Sequence, residues 1–211
     1  MSDFPEDIYT EPDFDANTLN NLGPLARLAG IWEGRRGLDV KPKAAGPKKQ
    51  AYVERIELQP IDPQTNGPQL YYGLRYHLHV TKPEQVKTYH DQVGYWLWEP
   101  ATGTVIQTLT IPRGLTAMAA GQAESGADSF ELVATHGSDT FGICAAPFLE
   151  HAFKTLEYRI RISFNEDGSW SYDQDTVLQI QGQDEPFHHT DRNTLYKVAD
   201  APPNPLARPV E

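Results

Sequence analysis

The stretch Leu156-Glu157-Tyr158-Arg159-Ile160-Arg161-Ile162-Ser163-Phe164 decides the fold, because every second side chain is apolar and every intervening one is polar. Successive side chains of a strand point to opposite faces, so this run is a strand with one buried and one wet face. Working outward, the same alternation returns in Tyr72-Gly73-Leu74-Arg75-Tyr76-His77-Leu78-His79-Val80, and through Tyr52, Glu54, Ile56 and Leu58 with one polar exception. Helical periodicity is nearly absent. Turn signals separate the runs: Asp62-Pro63 with Asn66-Gly67, Thr102-Gly103, Ser125-Gly126, His136-Gly137 and Asp167-Gly168.

The pattern predicts about ten strands, near 31–40, 51–59, 69–80, 87–99, 104–111, 114–121, 129–136, 154–165, 168–181 and 187–198. Consecutive antiparallel strands of this kind suit a single all-β, up-and-down barrel. Closure removes the exposed edges of such a meander, and a barrel somewhat larger than eight strands has room for a ligand. A two-sheet sandwich gives similar runs, and alternation alone leaves both architectures open.

The 211 residues suffice for one domain with a substantial core. Eighteen Lys and Arg against 29 Asp and Glu give a formal charge of −11, which repels phosphate backbones and anionic membrane surfaces. Nucleic acid and membrane are therefore not expected as partners. A lone cysteine, Cys144, cannot form an intrachain disulfide and favours a reducing compartment. The N-terminal MSDFPEDIYTEPDFDANTLNN lacks the basic and apolar segments of an export signal, and no apolar run approaches the ~18–20 residues that cross a bilayer. The expectation is a soluble, cytoplasmic protein. Residues 1–21 are expected to form an acidic flexible arm, 22–198 the folded barrel and 199–211 a Pro-rich tail.

The segment Gly23-Pro24-Leu25-Ala26-Arg27-Leu28-Ala29-Gly30-Ile31-Trp32-Glu33-Gly34-Arg35-Arg36-Gly37 resembles the opening of the calycin superfamily, where a short helical turn leads into a strand carrying Gly-x-Trp. With the further Gly34 it is similar to the nitrobindin-like haem-binding barrels. Tyr89-His90-Asp91-Gln92-Val93-Gly94-Tyr95-Trp96, the small-residue strand from Pro112 to Gly121 and Trp170-Ser171-Tyr172 extend the likeness in the same order. The resemblance implies an antiparallel, ten-stranded calycin-type barrel with a short N-terminal helical turn, holding haem b near its mouth. It also implies binding of nitric oxide or isomerisation of peroxynitrite to nitrate at ferric haem, and pairing into a homodimer. The iron ligand is implied to be a histidine at the start of the last strand.

Two histidines are available there, with His189 preferred over His188. Counting back from Tyr196-Lys197-Val198 places the family's histidine position on Thr190. A one-residue shift in a strand turns a side chain to the opposite face, so His189 faces inward only if a bulge or the preceding turn absorbs the difference. Trp32 is expected to plug one barrel end, while Leu74, Tyr76, Met118, Ile160 and Ile162 line or support the pocket. Arg113, between Pro112 and Gly114, suits either a ligand carboxylate or haem propionate at the mouth or a structural ion pair. Asp191, Arg192 and Asn193 form either an internal network or, slightly favoured, a tight turn.

The remaining candidates read as surface or packing. His77 and His79 share a face with Arg75 but have no third metal ligand at matching spacing, so a solvated outer face is expected. His90-Asp91 reads as a polar strand end, and His136 and His151 as surface positions. Cys144, with apolar neighbours, is expected to be buried. No Gly-x-Ser-x-Gly, phosphate-binding loop or dinucleotide fingerprint is present. Two rival functions remain: a haem-free, lipocalin-like or fatty-acid-binding-protein-like carrier of a small hydrophobic ligand, with Arg113 or Arg192 pairing to its carboxylate, and a haem-free enzyme using His188, His189 and Asp191 for proton transfer.

Overall fold

The structure is a computed structural model that describes residues 5–205. Residues 1–4 of the acidic arm and 206–211 of the Pro-rich tail lie outside the described residues. Two short turns come first, α1 (Thr18–Asn21) and a 3-10 segment (Gly23–Leu28). The strands follow as β1 (Gly30–Lys41), β2 (Lys48–Pro60), β3 (Gln64–Asn66), β4 (Gln69–Thr81), β5 (Thr88–Glu99), β6 (Thr104–Ile111), β7 (Leu115–Gln122), β8 (Ser129–His136) and β9 (Gly142–Ala145). After α2 (Pro147–Ala152) come β10 (Phe153–Phe164), β11 (Trp170–Ile180) and β12 (Phe187–Ala199). Among the described residues no helix is long and apolar enough to cross a membrane.

The strands run in the order β2-β1-β12-β11-β10-β8-β9-β7-β6-β5-β4, and β4 pairs back onto β2 from Val53↔Thr81 to Pro60↔Leu74, closing the ring. The barrel is thus eleven-stranded and mixed, which corrects the expected ten-stranded antiparallel barrel. The extra strand is β9. Neighbours β7 and β8 pair directly only at Ala120↔Val133, and the chain beyond His136 folds back to fill the split between them. There β9 pairs antiparallel with β7, as in Thr116↔Cys144, and parallel with β8, as in Thr135↔Gly142. A run as short as Gly142–Ala145 has too few residues to show alternation, so period two does not reveal it. Outside the ring, β3 pairs only with β4.

The two ends of the barrel differ. At one end the 3-10 segment caps the interior with the fully buried Leu22, Leu25 and Leu28, over Trp32, Trp96, Trp98 and Trp170. The Trp32 indole N–H donates to the Leu28 carbonyl at 2.7 Å, and its ring meets Trp170 edge-on at 6.1 Å between centroids. Leu74, Tyr76, Ile160, Ile162 and Leu195 belong to this same packed half. At the other end the side chains do not meet, and the interior opens into a cavity.

Because the plug carries packing and not the cavity, Leu25→Ala should cost about 2–5 kcal/mol and lower the melting temperature by roughly 5–15 °C. Calorimetry of the purified variant checks this; an unchanged transition would mean that the cap is not part of the cooperative core.

Candidate functional site

The open half of the barrel holds a cavity of about 510 Å³. That size suits a ligand of tens of heavy atoms. One wall is apolar, with Leu78, Val80, Leu109, Leu115, Ile143 and, from α2, Phe148 among its residues. The other wall is polar, with Asp39 and Lys41 from β1, Tyr52 and Glu54 from β2, Tyr89, His90 and Gln92 from β5, Tyr172 and Gln174 from β11, and His189 and Asp191 from β12.

Two bulges build the polar wall. Along β1 the inward set begins with Gly30, Trp32 and Gly34, but resumes with Gly37 and Asp39 after the exposed pair Arg35 and Arg36. Both neighbours register the extra residue: Gly34 faces Glu54 and Gly37 faces Tyr52 on β2, while Glu33 faces Tyr196 and Leu38 faces Arg192 on β12. The bulge inverts the parity of the strand, so Asp39 points inward where Leu38 or Val40 otherwise would. Glycine is needed on both sides of it, since a Cβ at Gly34 would run into the Asn193 amide and one at Gly37 into the Tyr52 ring. On β5, Val80 pairs with His90 and Thr81 with Thr88, and the skipped Tyr89 joins His90 in lining the cavity.

On β12 the pairing with β11 runs unbroken from Trp170↔Leu195 to Leu178↔Phe187, so His189 shares the inward face of Asp191, Asn193 and Leu195. Against β1, one shift is the extra residue of β1 at Arg35 and Arg36 and another falls at the far end of β12, between Ile31↔Ala199 and Trp32↔Lys197; neither lies ahead of the histidine. Asp191, Arg192 and Asn193 accordingly lie inside a strand and not in the tight turn that their composition suggested.

Asp39, only 2% exposed, is the hub. Its Oδ1 lies 2.9 Å from His189 Nε2, while its Oδ2 accepts a hydrogen bond from the Tyr89 hydroxyl and pairs with Lys41 Nζ at 3.4 Å. Lys41 also sits over the Tyr89 ring, 4.2 Å from its centroid. Asp191 Oδ2 approaches the same His189 nitrogen at 3.6 Å and is 3.4 Å from Gln174 Nε2. Burial pushes the Asp39 carboxyl up, but the hydrogen bonds from His189 and Tyr89 and the charges of His189 and Lys41 outweigh it and hold the group below the usual carboxylate range. Burial disfavours the His189 cation, yet the bond to Asp39 and the charges of Asp191 and Asp39 outweigh that and raise the imidazole. Asp191 is pushed up to about 7, chiefly by burial and also by Asp39, against the pull of His189 and Lys41. Burial lowers His90, whose Nε2 lies 3.2 Å from Gln92 Oε1.

Beneath this hub, the Tyr172 hydroxyl donates to Glu54 Oε2 at 2.7 Å and lies 2.6 Å from the Tyr52 hydroxyl. Glu54 is 2% exposed, and burial raises its carboxyl to about 8. Its Oε1 and the buried Asn193 Nδ2 make no hydrogen bond among the described residues.

A barrel plugged at one end by indoles and open at the other onto a half-polar, half-apolar cavity defines a calycin-type small-ligand binder. The chain belongs to the family described as THAP4-like, heme-binding beta-barrel domain, whose model matches residues 21–197, and so to the nitrobindin-like barrels. Among solved structures it is similar to the crystal structure of Rv2717c from M. tuberculosis, with a TM-score of 0.60 and 22% identity over 86% of this chain and 97% of that one. At that identity the likeness concerns the fold. No curated protein matches.

Of the residues singled out from sequence, His189 and Arg113 line the cavity. Arg113 donates to the Tyr89 carbonyl at 3.4 Å and makes no ion pair among the described residues. His188 faces outward, with Nδ1 2.6 Å from Asp175 Oδ2. Met118 lies on the outer face at 36% exposure, and Trp32 and Leu74 sit in the packed half, so none of these three touches the cavity. Cys144 is exposed, not buried, because its side of β9 faces solvent. His90 lines the cavity, not a solvated strand end. Period two counted back from the buried Trp96 through Gln92 would have placed His90 inside; nothing in the alternation points to Asp39 or Tyr89, which depend on the bulges.

In the unfolded chain Glu54 ionises near its ordinary 4.5, and in the fold near 8. The folded form therefore binds the extra proton, and stability from this group is full below about pH 4.5 and lost as pH rises through 8. Glu54→Gln, which mimics the protonated acid, should leave the melting temperature nearly unchanged at pH 4.5 and raise it by several degrees at pH 8. Equal shifts at both pH values in thermal melts would contradict a neutral buried acid.

Proposed function

We propose that this barrel binds haem b in its open cavity with His189 as the iron ligand, and acts on nitrogen oxides, binding nitric oxide or isomerising peroxynitrite to nitrate. The observation that carries the proposal is the inward His189 imidazole, held by Asp39, on the wall of a cavity of about 510 Å³ whose opposite wall is aliphatic and aromatic. These residues fit the group. A haem needs a nitrogen ligand on one side and apolar contacts over its faces, and the mouth carries Lys41, Lys43 and Arg113 to meet propionates. Only one nitrogen of His189 is engaged by Asp39, and its Nδ1 makes no hydrogen bond among the described residues.

Bound ferric haem would supply a coordination position for nitrogen oxides. The chain's own part is to orient the imidazole through Asp39, to exclude water with the apolar wall, and to present Arg113 and His90 as polar groups inside the cavity. The folded unit proposed is residues 22–198, flanked by the arm and the tail. The single thiol and the acidic charge fit a cytoplasmic setting. Pairing into a homodimer is proposed from family likeness alone.

A haem-free carrier is the second reading, favoured by three cations, Lys41, Lys43 and Arg113, in the lining of a cavity with one apolar wall. Added hemin should give a Soret band at one equivalent, retained in His188→Ala and weakened at least tenfold in His189→Ala. Native mass spectrometry of freshly isolated protein showing a bound lipid, with no Soret band on adding hemin, would replace haem by the carrier.

A further inference from the structure

We propose that Asp39 is the positioning residue of the iron ligand: it holds one nitrogen of His189, turns the other toward the cavity, and strengthens that nitrogen as a donor so that bound haem rests in the ferric state. The inference deepens the haem reading and rests on it.

The first support is that a buried carboxylate must be compensated, and three donors converge on Asp39 in a divided way. Tyr89 and Lys41 share Oδ2, while Oδ1 is left to His189 alone at 2.9 Å. An isolated buried carboxylate is strongly disfavoured; this one is a fixed post to which the ring is tied. The second support is that the ring cannot turn away without loss. Asp191 also stands 3.6 Å from the same Nε2, and Asp191 is itself tethered to Gln174. Both carboxylates thus hold the same nitrogen, and the ring has one nitrogen left to offer.

The third support is the origin of Asp39's position. It faces the histidine only because β1 carries an extra residue at Arg35 and Arg36, seen against both β2 and β12. A bulge bends the strand and breaks ladder hydrogen bonds, and it commonly serves to re-aim one side chain. Here the re-aimed side chain is a carboxylate delivered to an imidazole. A histidine that ligates a metal usually gives its other N–H to such a group, which fixes its orientation and raises its basicity. A more basic ligand donates more to iron and favours the higher charge, so the ferric form gains.

The test compares the wild type, Asp39→Asn, Asp39→Glu and His189→Ala, each reconstituted with hemin. Three properties are read: Soret stoichiometry, midpoint potential by spectroelectrochemistry, and the rate of hemin transfer to excess apomyoglobin. Asp39→Asn should still bind one hemin, with a more positive potential and hemin loss at least tenfold faster. Asp39→Glu, which restores the charge, should recover part of both changes. A potential and loss rate unchanged in Asp39→Asn, in a protein whose His189→Ala form loses the Soret band, would overturn the role of Asp39 and leave the haem reading standing. A wild type that takes up no hemin would overturn the haem reading first. One readout needs no variant: the iron–histidine stretch of the reduced wild type should fall where imidazoles bonded to carboxylates vibrate, and a frequency typical of imidazole bonded to a neutral acceptor would count against the proposal.

Discussion

A carboxylate taken out of water has to be neutralised where it lies, and Asp39 organises the open half of the barrel around that demand. Its two oxygens draw in His189, Tyr89 and Lys41 from three different strands, and Lys41 stacks on Tyr89 in turn. None of these groups belongs to the hydrophobic core, which borders the cavity only along its opposite, apolar wall. The electrostatic cluster takes the place that tryptophans and leucines fill at the other end. That substitution keeps a cavity open without letting its wall collapse, since polar partners set their own distances while aliphatic chains would pack to fill the space.

The division of labour along the strands follows from this. Nearly every long strand contributes apolar residues to the plug from one half and cavity-lining residues from the other: β4 gives Leu74 and Tyr76 to the core and Leu78 and Val80 to the cavity, and β5 gives Trp96 and Trp98, then Tyr89, His90 and Gln92. Closure by β2 against β4 joins both halves into one ring. A fully buried Glu54, its carboxyl raised to about 8 by burial, sits at the boundary, bonded to Tyr172, which touches Tyr52. Below it the interior is packed with apolar side chains; above it polar atoms look into the cavity.

How much of this was legible depends on what strand alternation can report. The runs around Leu156–Phe164 and Tyr72–Val80 carried a period-two signal, which gave strands with one buried face; the barrel rested on the family resemblance. The short β9 carried none, because four residues between β7 and β8 are too few to alternate, and with it the mixed pairing was missed. The histidine at the head of the last strand was visible as a residue. Its neighbours in space were not: Asp39 lies 150 positions away and faces inward only through a bulge, which reads in the sequence as a harmless Arg35-Arg36. Met118, Trp32 and Leu74 were apolar residues in strands of the right kind. Strand parity turned Met118 to solvent, and distance along the strand put Trp32 and Leu74 in the plug and away from the cavity.

The most direct measurement is an anomalous difference map at the iron edge from crystals of the protein loaded with hemin. The account predicts a single peak inside the open half of the barrel, within bonding distance of the His189 ring, with the Asp39 carboxylate still on its other nitrogen. A peak beside the outward-facing His188, or an iron in the cavity with His189 turned away and unbonded to it, would contradict the account.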